Sequence, residues 1–236
     1  MMEKEKPVHL LAGGRQSARG SMASLICAVF REDNLVSPTI AYVGAATGDD
    51  ESFYQRMASI LRTAGASTVT QALISPDGAD LAKAKDVLAS ADIVFVGGGD
   101  VFEGIQTLRE RKMVGFLQGL YEQGKPFFGL SAGSIMLAET WIHWVDPDDD
   151  STAELFPCLG FAPIICDTHG EEDDWEELRA ALKLAEDGRK GYGIVSGTAI
   201  KVHPDSGNVE ALGDAVHQFA RREGRIVRLP DIMPIS

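Results

Sequence analysis

Cysteine is scarce in this chain of 236 residues: there are three, Cys27, Cys158 and Cys166, with no CxxC spacing. An odd number without close pairs argues against a disulfide framework or a cysteine zinc site and reads as buried thiols in a reducing compartment. Positive charge is also short, with 22 Lys+Arg against 35 Asp+Glu and a net charge of −13. Nucleic-acid backbones and anionic membrane surfaces need a basic face, so neither is an expected partner. Long apolar runs are missing. Residues 8–12 are too short for a signal-peptide core, and elsewhere glycines and charged segments interrupt. No signal peptide or membrane span is expected, and the cytoplasm is the expected compartment. Nor is there an internal repeat, low-complexity tract or linker, so residues 1–236 read as one domain. What is present suits a soluble globular protein with a sizeable core: 44% hydrophobic and 24% charged residues.

Short apolar runs alternate with helical patterns through the first half. Strands are expected at residues 8–12, 39–43, 67–72, 93–96 and 126–130. Helices are expected near 17–30, 52–64, 79–90, 101–109, 113–123 and 132–139. Strands without polar alternation, separated by helices, imply a mostly parallel, doubly wound α/β sheet with helices on both faces. The second half is less regular: a strand near 141–145, another at 162–166 and an acidic helix near 174–186. Strands follow from Tyr192, with turns at Pro204-Asp205-Ser206-Gly207 and Glu223-Gly224. These last strands are expected to add antiparallel to the sheet edge.

The chemistry concentrates in Gly129-Leu130-Ser131-Ala132-Gly133. A GxSxG segment between a strand and a helix builds a tight elbow that lifts the serine hydroxyl above the strand ends, where open parallel sheets bind ligands. Ser131 is therefore the candidate nucleophile. The Ala132 amide, at a helix N-terminus, is a candidate oxyanion donor. A simple Ser N-cap is the bland alternative, but it would not require Gly129 and Gly133. Gly97-Gly98-Gly99-Asp100 ends the preceding strand. Its glycines would let backbone approach a substrate, and Asp100 could equally cap the next helix. Neither a P-loop nor a Rossmann fingerprint is present.

A serine nucleophile needs a base. His9 lies inside the first strand and reads as packing, His203 and His217 lie in the edge-strand region with exposure expected, and His143, between Trp141 and Trp144, reads as packing or pocket wall. His169 stands just past an apolar strand at its expected carboxyl end and is the favoured base. Its acid partner stays open among Asp167, Glu171 and their neighbours to Asp174.

Taken together, Gly97-Gly98-Gly99-Asp100, Gly129-Leu130-Ser131-Ala132-Gly133-Ser134 and Asp167-Thr168-His169 resemble the peptidase E (aspartyl dipeptidase) and cyanophycinase family of serine peptidases. The 38-residue interval from Ser131 to His169 and the segment 191–200 fit the same pattern. The resemblance covers roughly residues 8–213. It implies a flavodoxin-like, class I glutamine amidotransferase-like fold and a serine peptidase with Ser131 and His169 catalytic. It also implies oxyanion amides at Gly99 and Ala132, a small peptide or amide substrate, no metal or organic cofactor, and a homodimer as a plausible assembly. Gly98, Asp100, Leu130 and Arg179 are the candidate substrate-pocket residues. Two positions depart from the family. Ser196 stands where a triad glutamate is expected, and an acidic run, 171–177, replaces the arginines that tend to follow the histidine. An amidotransferase-like binding protein and an α/β-hydrolase esterase with His217 as base are the other readings.

Overall fold

The computed structural model describes residues 6–13 and 21–234. Five strands, β1 (Val8–Leu11), β2 (Thr39–Val43), β3 (Thr68–Ala72), β4 (Ile93–Val96) and β5 (Phe127–Leu130), form a parallel array in the order β1-β5-β4-β2-β3. Helices α1 (Met22–Glu32), α2 (Glu51–Thr63), α3 (Leu81–Ser90), α4 (Val101–Glu110) and α5 (Val114–Glu122) connect them. The elbow leads from β5 into α6 (Ala132–Leu137). The helix expected from residue 17 begins at Met22, and residues 17–20 lie outside the described part.

Successive side chains on a strand point to opposite faces, and the core divides accordingly. Ile93 and Phe95 of β4 pack with Ile26, Phe30 and Leu61 of α1 and α2. Val94 and Val96 pack with Leu88, Ile105 and Leu117 of α3, α4 and α5. Asp50, Asp80 and Asp100 sit at the N-caps of α2, α3 and α4, each accepting amides of its helix's first turn. Such caps satisfy donors that have no intrahelical acceptor.

The second half departs from the expected edge addition. Only β10 (Ala199–Val202) and β11 (Val209–Leu212) join the central sheet antiparallel, beside β1. A separate four-stranded sheet is ordered β13-β12-β9-β8. It comprises β8 (Ile165–Thr168), β9 (Lys190–Ile194), β12 (Val216–Arg222) and β13 (Arg225–Ile232). Here β8 and β9 run parallel. The strand expected at 162–166 lies three residues later. A hairpin of β6 (Thr140–Trp144) and β7 (Ala153–Pro157) precedes it, and α7 (Glu176–Leu184) packs over β8 and β9. Among the described residues no helix is long and apolar enough to cross a membrane.

Candidate active site

The elbow is built by close packing. Ser131 has φ 54° and ψ −125°, a region that favours glycine, and its side chain makes no capping hydrogen bond. The bland N-cap role is thus not realised. Its backbone amide donates to Leu11 O at 2.8 Å, and Ser134 Oγ both accepts from Leu11 N and donates to Leu11 O at 2.9 Å. These bonds tie α6 to the end of β1. A Cβ on Gly133 would stand 2.1 Å from Val96 O, and one on Gly129 would stand 2.5 Å from Gly133 O. Both glycines are therefore demanded by helix-on-strand contact. Strain at a single non-glycine residue persists only where surroundings over-determine it.

The ends of β1, β5 and β4 converge here. A Cβ placed on Gly98 would lie 3.2 Å from Ser131 Cβ and 3.8 Å from its Oγ. Gly99 has φ +142°, and a Cβ there would fall 2.0 Å from Ala46 O, so only glycine fits. Asp100 N donates to Ala46 O at 2.8 Å, whereas the Gly99 amide donates to no carbonyl among the described residues. Ala132, first in α6, carries one of the amides that helix geometry leaves without an acceptor. Asp100 caps α4 through Oδ1, 2.9 Å from Glu103 N. Leu130 is buried beneath the site.

His169 arrives from the second sheet. The parallel pairing of Thr168 with Ile194 brings the loops after β8 and β9 side by side. His169 follows one and Ser196 follows the other, so the imidazole Nδ1 lies 3.1 Å from Ser196 Oγ. The same loop is sewn to β1, with Gly197 N donating to Gly13 O at 3.0 Å and Ala12 N to Thr198 O at 2.9 Å. The far edge of the ring lies against Gly13: a Cβ there would stand 3.5 Å from His169 Nε2 and Cε1 and 3.6 Å from Leu130 Cδ1. Among the described residues no hydrogen bond joins Ser131 Oγ to the ring, as is common in unliganded sites.

His169 has φ +67°, so it has left the strand and no longer shares a face with Asp167. Asp167 is buried, accepts from Thr168 N at 2.6 Å, and its carboxyl is pushed up to about 7 by burial. Ser196, not Asp167, makes the bond to the imidazole. Glu171 accepts a hydrogen bond from the Ser196 amide, which places its charge beside the His169–Ser196 pair. Burial lowers the His169 pKa below the ordinary value, and the Glu171 charge offsets part of that.

Other expectations change as well. Arg179 is engaged in an ion pair with Asp174 of the acidic turn. His217 is half-buried rather than exposed: its Nδ1 lies 3.1 Å from Asp231 and 2.7 Å from Arg228, and its ring meets Trp175 edge-on at 5.8 Å. It belongs to the β12–β13 hairpin, where Asp231 and Arg228 hold its ring. His203 pairs with Glu210 at 2.7 Å. His143, read as packing or pocket wall, lines a cleft of about 460 Å³ with Phe102, Trp141 and Trp144, and what sequence reasoning missed is that this cleft opens beside Gly99 and is reached by Glu177. The alternating Trp141-Ile142-His143-Trp144 was the available signal.

The description of Peptidase family S51 matches residues 8–209. The chain belongs to that family. It is 24% identical to an uncharacterized peptidase, YgaJ, of Bacillus subtilis over 156 residues, covering 66% of this chain and 65% of that protein. It is 25% identical to peptidase E of Haemophilus influenzae over 132 residues, covering 52% and 60%. The matched part thus spans less than two thirds of either relative's length. Among solved structures, a peptidase from an acI-B1 Actinobacterium superposes with a TM-score of 0.71 at 16% identity, covering 98% of both chains. A putative peptidase E from Listeria monocytogenes superposes at 0.62 and 17%, covering 88% and 98%. These superpositions share the fold of this S51 chain, a mixed α/β unit around a mostly parallel sheet.

Proposed function

We propose that this S51 chain is a serine peptidase of the peptidase E and cyanophycinase type that hydrolyses small peptides. The observation that supports the reading is the strained Ser131 elbow, whose hydroxyl makes no capping hydrogen bond and lies against Gly98 at the strand ends. Strain of this kind is retained where function needs the geometry.

The steps follow from the groups present. The useful imidazole tautomer carries its proton on Nδ1, donated to Ser196 Oγ, and leaves Nε2 as the base. Nε2 takes the Ser131 hydroxyl proton as Oγ bonds to the scissile carbonyl carbon. The carbonyl π pair moves onto oxygen, and the amides of Gly99 and Ala132 hold that oxyanion. As the pair returns, the C–N bond breaks and Nε2–H protonates the departing amine. Water, deprotonated by Nε2, then cleaves the acyl-serine to the free acid and restores Ser131. In this scheme Ser196 orients the ring, and Glu171, through the Ser196 amide, supplies the charge that stabilises the imidazolium. Asp167 has no part in it.

The test is labelling with a fluorophosphonate probe, followed by peptide mapping. Ser131 should carry the adduct and Ser131→Ala should not. Folded wild-type protein that leaves Ser131 unlabelled would sink the proposal and favour the non-catalytic binding reading that Ser196 motivates.

A further inference from the structure

The cleft beside Gly99 has a chemistry of its own. Its volume, about 460 Å³, falls in the range of ~300–1,000 Å³ usual for small-ligand sites. One wall is aromatic: Phe102 and His143 stack with centroids 3.8 Å apart, and Trp141 and Trp144 lie on the adjacent strand β6. At the rim are two carboxylates from different elements, Asp100 at the start of α4 and Glu177 in the first turn of α7. Asp100 spends one oxygen on the Glu103 amide. Glu177 makes no hydrogen bond or ion pair among the described residues. The one basic side chain lining the cleft is His143, and it is stacked on Phe102.

Asp100 directly follows Gly99, so the cleft opens next to the amide assigned to the oxyanion. Building on the peptidase reading, we infer that this cleft takes a cationic side chain, lysine or arginine, of the residue flanking the scissile bond. Aromatic faces suit the aliphatic stem and attract the cation, and the two carboxylates meet its head. An aspartyl side chain would meet like charge at the same place. Burial and the nearby charges of Asp173, Glu176 and Asp100 push the Glu177 carboxyl above its ordinary range, and an arriving cation would relieve that repulsion.

The inference is tested on full-length Ser131→Ala protein, so that binding is read without turnover. Lysinamide, argininamide, leucinamide and aspartic acid α-amide all share the α-amine, and affinity can be followed by calorimetry and by tryptophan fluorescence. Lysinamide and argininamide should bind at least tenfold tighter than leucinamide, and the aspartyl amide weakest. Glu177→Gln, or Asp100→Asn, which keeps the helix cap, should reduce that preference at least fivefold. Asp86→Asn, the same charge change on exposed α3, should leave it intact. Equal binding of lysinamide and leucinamide, or a preference untouched by both cleft variants, would overturn the assignment. Fluorophosphonate labelling separates the two readings. Labelled Ser131 without cation preference removes only the cleft. Cation preference with unlabelled Ser131 removes only the peptidase chemistry and supports the cleft.

Discussion

The proposed nucleophile arm and the proposed base arm of this site are held by different physics. On the nucleophile arm, Ser131 is locked between β5 and α6 by steric contact. Gly129 and Gly133 leave no room for a Cβ, and Ser134 pins the helix to Leu11. On the base arm, His169 sits just past a strand end and is held by Ser196, itself bonded to Glu171. One arm is a packed elbow with little freedom to vary. The other is a small polar network across two loops, where one residue type can stand in for another. The contrast accounts for a tightly specified sequence around Ser131 and for a serine, Ser196, where the family resemblance implies a glutamate.

Removing the hydroxyl should have the largest effect. Ser131→Ala should lower kcat/KM by about 10⁴-fold or more. Ser131→Gly should be equally inactive yet more stable by about 1 kcal/mol, because it relieves the strained φ and ψ, as thermal unfolding would report. Gly133→Ala should cost about 3 kcal/mol or more, or prevent folding, since its methyl would collide with Val96 O. Urea unfolding measures this, and a loss under 1 kcal/mol would mean the elbow is not packed as described.

The base arm should yield smaller effects. Ser196→Ala should lower kcat roughly 10- to 100-fold with KM little changed, the scale expected for losing a group that orients a catalytic base. The pH profile sharpens the point. His169 must be neutral to act, and its pKa lies below the usual histidine value, so activity should rise with pH along a limb centred below about 6.5. Glu171→Gln removes a charge that raises that pKa, so the limb should move further down. An upward shift would exclude Glu171 from the network. Asp167 provides the control. Its folded pKa, about 7, is raised above the unfolded value, so the stability it contributes is full below about 3.9 and is lost as pH rises through 7. Asp167→Asn should therefore gain stability relative to wild type as pH increases over that window, by about 4 kcal/mol at most, with kcat nearly unchanged.

The two arms were also unequally legible. Residues 126–139 announce strand, elbow and helix within one short stretch, because every constraint on Ser131 is local: a buried strand, small flanking residues and a helix start. The alternation of β4, with Ile93 and Phe95 to one face and Val94 and Val96 to the other, follows equally from its apolar run. The base arm is different. His169 could be placed at a strand end, but Asp167 shared its face only while the chain stayed extended. The turn at φ +67° ended that. Arg179 read as a pocket cation, yet an acid five residues before it claims its charge.

The sequence alone therefore settled the alternating α/β order, the elbow and its serine, since each depends on neighbours within a few residues. Only the tertiary structure decided that β8 and β9 leave the central sheet and pair in parallel. That pairing sets Ser196 against His169 from 27 residues away and draws Glu171 to the Ser196 amide. It also took the fold to bring α4, α7 and the β6 aromatics around one cleft. The physical reason is the same in each case: a strand's partner is chosen by burial and hydrogen bonding across the whole molecule, and residues distant along the chain become neighbours only after that choice.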